Sequence, residues 1–324
     1  MALFLRGVTL EDLTGSLAAA EWTWLAACLV FTLLHFVVRA WRWRYLLWPL
    51  RHDLPMRPLV EAILAGYAVT FLVPGRLGEV VRPALLSRGQ QLPLAGTMAT
   101  VGLDRLLDGA ALTFFLMIFL VTAPGAGNGM SAEVVDSMRF WGILVGGGMA
   151  VALVALSVLS RFRYLVPETL PGRRWKTKLL GLVRSALDGM TALHGGRPLA
   201  GAIVGSLLIW LVIAVQAWTG LRAFGIDLPF TAAFGLISAL AVGIAIPTPG
   251  GVGGYHAAGG GFLVLVYGVN QGQATAAILV LHLISVVPAI LLGGLVMVRE
   301  GLSLGELLGR GGQRPGVAPV EDGT

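Results

Sequence analysis

The chain has 324 residues, 56% of them hydrophobic and 12% charged, with a mean hydropathy of +0.82. A soluble globular domain carries about a quarter charged residues, so a water-facing surface over most of this chain is excluded. The net charge of +6 and the pI near 10.1 would point to nucleic acid in a soluble protein; here the basic residues, all Arg except Lys176 and Lys178, lie between apolar runs, the pattern of cytoplasmic loops, and no nucleic-acid partner is expected.

At roughly 20 residues per crossing plus loops, the length accommodates roughly six to eight membrane segments. The chain does not open on a basic stretch followed by a cleavable apolar one, so no signal peptide is expected. Five apolar runs are long enough to span: Trp22–Arg39, Gly96–Val121, Phe140–Leu159, Leu199–Leu221 and Ala274–Val298. Two others are interrupted: Leu59–Leu86 at Pro74-Gly75, and Phe230–Val269 at Pro247-Thr248-Pro249-Gly250-Gly251. Pro removes a helix hydrogen bond and Gly permits unusual dihedrals, so each interrupted run reads as two half-spans joined by a turn. Cys28, the single cysteine, lies in an apolar run and excludes an internal disulfide. The tail 309–324 is Gly/Pro-rich and is expected to be disordered, leaving residues 1–308 as one transmembrane domain.

Loop charges orient these segments. Arg39, Arg42, Arg44, Arg51 and Arg57 mark one cytoplasmic loop, and the basic stretch 161–197 marks another. Pro124–Asp136 has no basic residue and reads as external. The first broken run must then begin and end inside, and the second must begin and end outside, each as a re-entrant hairpin. The predicted fold is all-α: a polytopic helical membrane protein with two broken re-entrant hairpins in blocks of span, hairpin and span, one inverted relative to the other. Inverted repeats with broken helices are the architecture of many secondary transporters, with the site where the breaks meet.

Charged residues inside apolar runs are the candidate site. Arg76, Glu79 and Arg82 are three apart, and Asp104 and Asp108, flanking Arg105, are four apart, so each set shares one helix face. A charge at the bilayer centre costs roughly 2.5–3.5 kcal/mol on insertion scales, so these groups should pair, either as an ion-pair network pinning the hairpin to the next span or as a polar site meeting a ligand head group. Gly253 ends the second break, Ile246–His256, where the Gly-rich turn fits either an anion-binding helix start or a tight break with close packing. Arg42-Trp43, at the end of the first span, reads as an interfacial anchor or a lipid-phosphate contact. His35, His256 and His282 lack metal-ligand spacing and read as core or cavity residues; no metal and no cofactor is expected.

Together these motifs resemble the flippase-like family formed by the transmembrane region of lysylphosphatidylglycerol synthases and its stand-alone relatives. The matching residues are Arg42-Trp43, Gly66-Tyr67, Pro74 through Arg82, Asp104-Arg105 with Asp108, and Pro247 through Gly253, in the family's order and over nearly the whole chain. The family often has Glu at position 104, Asn at Thr70 and Glu at His256, and usually a further N-terminal span, so this chain is expected to begin late. The synthase's soluble aminoacyl-transferase domain is not expected after Val298. The resemblance therefore implies the lipid-handling half: a non-enzymatic translocator of phospholipid or a lipid-linked precursor, in the plasma membrane of a bacterium or archaeon. In that reading Arg76 and Arg82 contact the lipid phosphate, Glu79 and Asp104 balance them or meet a cationic head group, Asp108 orients Arg105, and Pro247–Gly254 form the opposing gate. The alternative is a non-catalytic scaffold for a membrane-bound lipid-modifying or glycosyl-transferring enzyme, docking through loop 161–197; a third is a membrane-embedded enzyme acting on a lipid phosphate. No nucleotide-binding loop is present, so movement would draw on an ion gradient or a partner, or run passively.

Overall fold

The computed structural model describes residues 14–15, 18–73, 77–122, 132–165, 174–245 and 253–301. The breaks at Pro74, Gly75 and Arg76 and at Pro247, Pro249, Gly250 and Gly251 lie outside them, as does the tail 309–324. The described residues form ten α-helices and no strand: α1 (Trp22–Leu46), α2 (Met56–Leu72), α3 (Gly78–Gln90), α4 (Leu94–Thr122), α5 (Ala132–Arg161), α6 (Arg174–Met190), α7 (Gly196–Ala223), α8 (Phe230–Ala245), α9 (Gly254–Tyr267) and α10 (Gln271–Arg299). Five, namely α1, α4, Arg139–Arg161 of α5, α7 and α10, are long and apolar enough to cross a membrane. They are the five expected spans with longer ends. The largest extension is in α1, which runs seven residues past Arg39 to Leu46 and carries Arg39 and Arg42 on a helix instead of a loop.

Both broken runs are antiparallel hairpins. In α2/α3, a Cβ on Gly66 would lie 2.9 Å from the Arg82 Cβ, and one on Gly78 would lie 1.9 Å from the Gly66 carbonyl oxygen. In α8/α9, a Cβ on Gly243 would lie 2.3 Å from the Gly254 carbonyl oxygen. Helices surrounded by lipid gain little from hydrophobic exclusion and associate through close backbone approach, which small residues permit. The same device joins α1 to α7, where Gly201 faces the Tyr45 ring and Gly205 the Arg42 side chain, and α4 to α5, where Gly142 and Gly146 face Met117 and Thr113.

The helix ends that flank both breaks lie halfway along the long helices. Tyr67, near the end of α2, packs its ring 5.7 Å from that of His35, midway along α1. Tyr255, in the first turn of α9, packs 4.6 Å from His282, midway along α10. Both hairpins are thus re-entrant. The two halves also exchange neighbours: α1 packs on α7, α2 lies against α10, and α8 against α4. This reciprocal pairing is what two repeats related by a pseudo-twofold axis produce. Phe115 and Phe119 of α4 pack against Phe234 of α8 and Phe262 of α9, with ring centres 4.8 Å and 5.5 Å apart.

The glycine contacts define a test. Gly78→Ala and Gly243→Ala should each lower stability by about 1–3 kcal/mol through overpacking. Gly89→Ala, at an exposed site in α3 with nothing within 4 Å, should not. Thermal unfolding of the detergent-purified variants checks this; equal behaviour of all three would show that the hairpins do not depend on backbone approach.

Candidate functional site

Three helices deliver charge to one buried point, and a fourth adds a hydroxyl. On α4, Asp104 and Asp108 share a face and are both buried, Asp104 completely. From α1, Arg42 hydrogen-bonds to Asp104 through Nη2 and to Asp108 Oδ1 through Nη1 at 2.7 Å, while Arg39 Nη1 donates to Asp108 Oδ2 at 2.8 Å. Arg42 also donates to Ser206 of α7 at 3.0 Å, where Gly205 leaves it room. From α3, Arg82 donates to Asp104 Oδ2 at 2.9 Å, and its guanidinium lies 3.9 Å from the ring centre of Trp43, a cation–π contact. The Trp43 indole donates to Thr100 at 3.0 Å.

The interfacial reading of Arg42 and Trp43 is therefore corrected: both side chains are fully buried inside the protein. An Arg in a low-dielectric interior is tolerated when carboxylates and hydrogen-bond acceptors surround it, and α4 supplies them. In the sequence the one sign of this match is spacing: Arg39 and Arg42 are three apart and Asp104 and Asp108 four apart, so each pair shares a helix face.

The cluster has an accessible rim. Arg105, 41% exposed, reaches Asp104 at 3.4 Å, Asp108 at 3.5 Å and Glu79 at 3.9 Å; Glu79 is 36% exposed. Arg76, the remaining member of the first set, lies outside the described residues. Four guanidinium groups (Arg39, Arg42, Arg82 and Arg105) thus meet three carboxylates (Asp104, Asp108 and Glu79), an excess of positive charge. Arg82 Nη2 is buried and has no hydrogen-bond partner among the described residues.

Next to this cluster, a cavity of about 190 Å³ lies between the two hairpins. Tyr67 and Phe71 of α2 line one side, and Leu240, Ile244 and Tyr255 of α8 and α9 the other. His35 of α1, Gln216 of α7 and Ser285 of α10 add polar groups, with Gln216 donating to Ser285 at 2.9 Å. Tyr67 joins the two features, since it lines the cavity and lies 5.8 Å under the Arg39 guanidinium. Gln216 and Ser285 have no charge pattern or spacing that marks them in the sequence, and Tyr67 and Tyr255 stand out there only within the Gly66-Tyr67 motif and the stretch Ile246–His256; the four meet only because the hairpins do. Of the second break, Gly253 is described: it precedes α9 with a φ of 105°, which favours glycine. His256 and His282 are buried with rings stacked at 4.9 Å, and no group of three or more His, Cys, Asp or Glu suited to a metal occurs among the described residues.

Asp104 is the shared partner of this network, so Asp104→Asn should cost about 3–5 kcal/mol by leaving buried guanidiniums uncompensated. Adding Arg82→Met should recover part of that loss. A double-mutant cycle read by thermal unfolding checks it; strictly additive costs would show that Arg82 and Asp104 do not interact.

Over 310 residues the chain is 24% identical to Glycosyltransferase AglD of Haloferax volcanii; the match covers 87% of this chain and 50% of that protein, so the chain spans about half the length of this relative. The family model for the lysylphosphatidylglycerol synthase transmembrane region matches residues 1–293. The membrane spans, the broken hairpins and that match together establish that the chain belongs to the family of the lysylphosphatidylglycerol synthase transmembrane region.

Proposed function

We propose that this protein moves a membrane lipid, a phospholipid or a lipid-linked precursor, between leaflets. Its polar head would travel through the space between the hairpins while its acyl chains stay in the bilayer. The observation that carries this reading is the cavity between the two hairpins, joined through Tyr67 to a buried cluster with excess positive charge. Discontinuous helices meeting at the midplane are where transporters place polar substrates. An anionic phosphate would meet Arg105 at the exposed rim, with Arg76 and the unsatisfied Nη2 of Arg82 as further donors. Glu79 and Asp104 hold these cations or meet a cationic head group, and Asp108 orients Arg105. In this reading the segment 247–254 would be the opposing gate. The membrane in question is the plasma membrane of a bacterium or archaeon.

A second reading has one observation in its favour. The relative from Haloferax volcanii is named a glycosyltransferase, and the chain matches half of its length. In this reading the chain is a membrane partner of a lipid-modifying or glycosyl-transferring enzyme, docked through residues 161–197.

Vesicles holding only the purified protein and a head-group-labelled phospholipid separate the two. Quenching of the outer-leaflet label should reveal protein-dependent movement, slowed roughly tenfold in Glu79→Gln and in Arg76→Ala, the scale of one charge-assisted hydrogen bond. Wild-type rates in Glu79→Gln would remove that residue from the path. No movement with any head group, together with loss of a partner from pull-downs when 162–195 is deleted, would establish the scaffold reading instead.

A further inference from the structure

The stretch 161–197, expected to be a loop, contains a helix whose role neither hairpin explains. Helix α6 has 17 residues and would extend about 26 Å at 1.5 Å per residue. One end is tied to the membrane spans. The backbone N–H of Gly96, in the first turn of α4, donates to Ser185 Oγ at 3.1 Å, and a Cβ on Gly189 would lie 2.4 Å from the Gly96 carbonyl oxygen. The short turn that follows, Thr191–His194, contacts the last turns of α5: His194 Nε2 lies 2.7 Å from Ser160 Oγ. Helix α6 is thereby held at the level where α4 begins and α5 ends, two ends of candidate membrane spans.

Its two sides differ. Leu179, Leu182 and Val183 fall on one arc of the helix and are 52%, 51% and 43% exposed. Arg184 and Asp188 fall on the opposite arc, and Leu187 is buried against the protein. The helix contains Arg174, Lys176, Lys178 and Arg184 against Asp188 as its one acidic residue. Arg161 and Arg163 precede it and Arg197 follows it. An exposed apolar stripe on a helix whose sequence is rich in Arg and Lys and too polar to span is the composition of helices that lie in the membrane interface.

We infer that α6 is a binding surface for anionic lipid: its Leu179–Leu182–Val183 stripe dips into the leaflet at the head-group boundary, and its basic residues hold negatively charged head groups. A protein partner would also cover an apolar stripe, but the position at the span ends and the density of Arg and Lys favour a charged lipid surface. Each basic residue near such a surface is worth about a fivefold change in partitioning. Because α6 is clamped to the first turn of α4, which carries Asp104, Arg105 and Asp108 further along, its seating is mechanically joined to the buried cluster.

The test uses the full chain in vesicles, with Cys28→Ala and a single spin label at Leu182→Cys or at Arg184→Cys. One set of vesicles is pure phosphatidylcholine and the other an equal mixture of phosphatidylcholine and phosphatidylserine. In the mixture, the label at 182 should be reached by oxygen and shielded from a water-soluble nickel chelate, with the reverse at 184. In pure phosphatidylcholine, or with Lys176→Gln and Lys178→Gln combined, the label at 182 should gain several-fold in nickel accessibility. Equal accessibility in both lipids would overturn the charge-specific binding. Nickel access at 182 in both would remove the stripe from the membrane, and shielding from both reagents would assign it to a protein contact.

Discussion

Placing ionised groups where water is excluded is the constraint on which this structure depends. Two carboxylates on α4 and three guanidiniums from α1 and α3 are buried together, and none of the helices that carry them can move away without stranding a charge. The effective interaction between unit charges at about 4 Å is on the order of 4 kcal/mol near a protein surface and larger in a drier interior, but removing both partners from water costs a comparable amount. Such a cluster therefore adds little net stability while dictating position. Asp104 is bonded from α1 and α3 simultaneously, and Arg42 reaches on to Ser206 of α7. Four helices are held in one register by a single set of hydrogen bonds.

That register positions the hairpins. Gly66 lets α3 close against α2 beside Arg82, so the charge bonded to Asp104 also fixes the first hairpin. The second hairpin has no comparable ion cluster among the described residues and relies on glycine contacts and aromatic packing against α4. One half is thus pinned electrostatically and the other by shape. Irregular backbone at membrane depth is tolerated where protein or a cavity surrounds it, and α2, α8 and α9, which flank the breaks, line one cavity.

Outside the two repeats, α5 and α6 form a separate layer. Helix α5 exposes Phe140, Trp141, Ile143, Leu144, Val151 and Val154, as expected of a span facing lipid on most sides. Its contacts run to α4 and, through the Thr191–His194 turn, to α6. The layer inserts one extra candidate span between the halves, and an odd number of crossings between them is what an inverted second repeat requires.

Much of this architecture was legible in the amino-acid sequence. Runs such as Gly96–Val121 and Ala274–Val298 are long enough, and apolar enough, to have one stable environment. Proline and glycine interrupt helices by local geometry, so both hairpins could be placed from residues alone. Asp104 and Asp108 could be assigned to a protein-facing side because lipid will not accept them. The sequence misplaced Arg39 and Arg42, because an arginine near the end of an apolar run reads the same whether it meets head groups or a buried carboxylate 66 residues away. It missed α6, whose stripe of three residues is too short to stand out from a basic loop. The cavity lay beyond its reach altogether: Tyr67, Gln216, Tyr255 and Ser285 are ordinary residues on four different helices, and only tertiary packing, set by where opposite charges and glycine surfaces meet, brings them to one place.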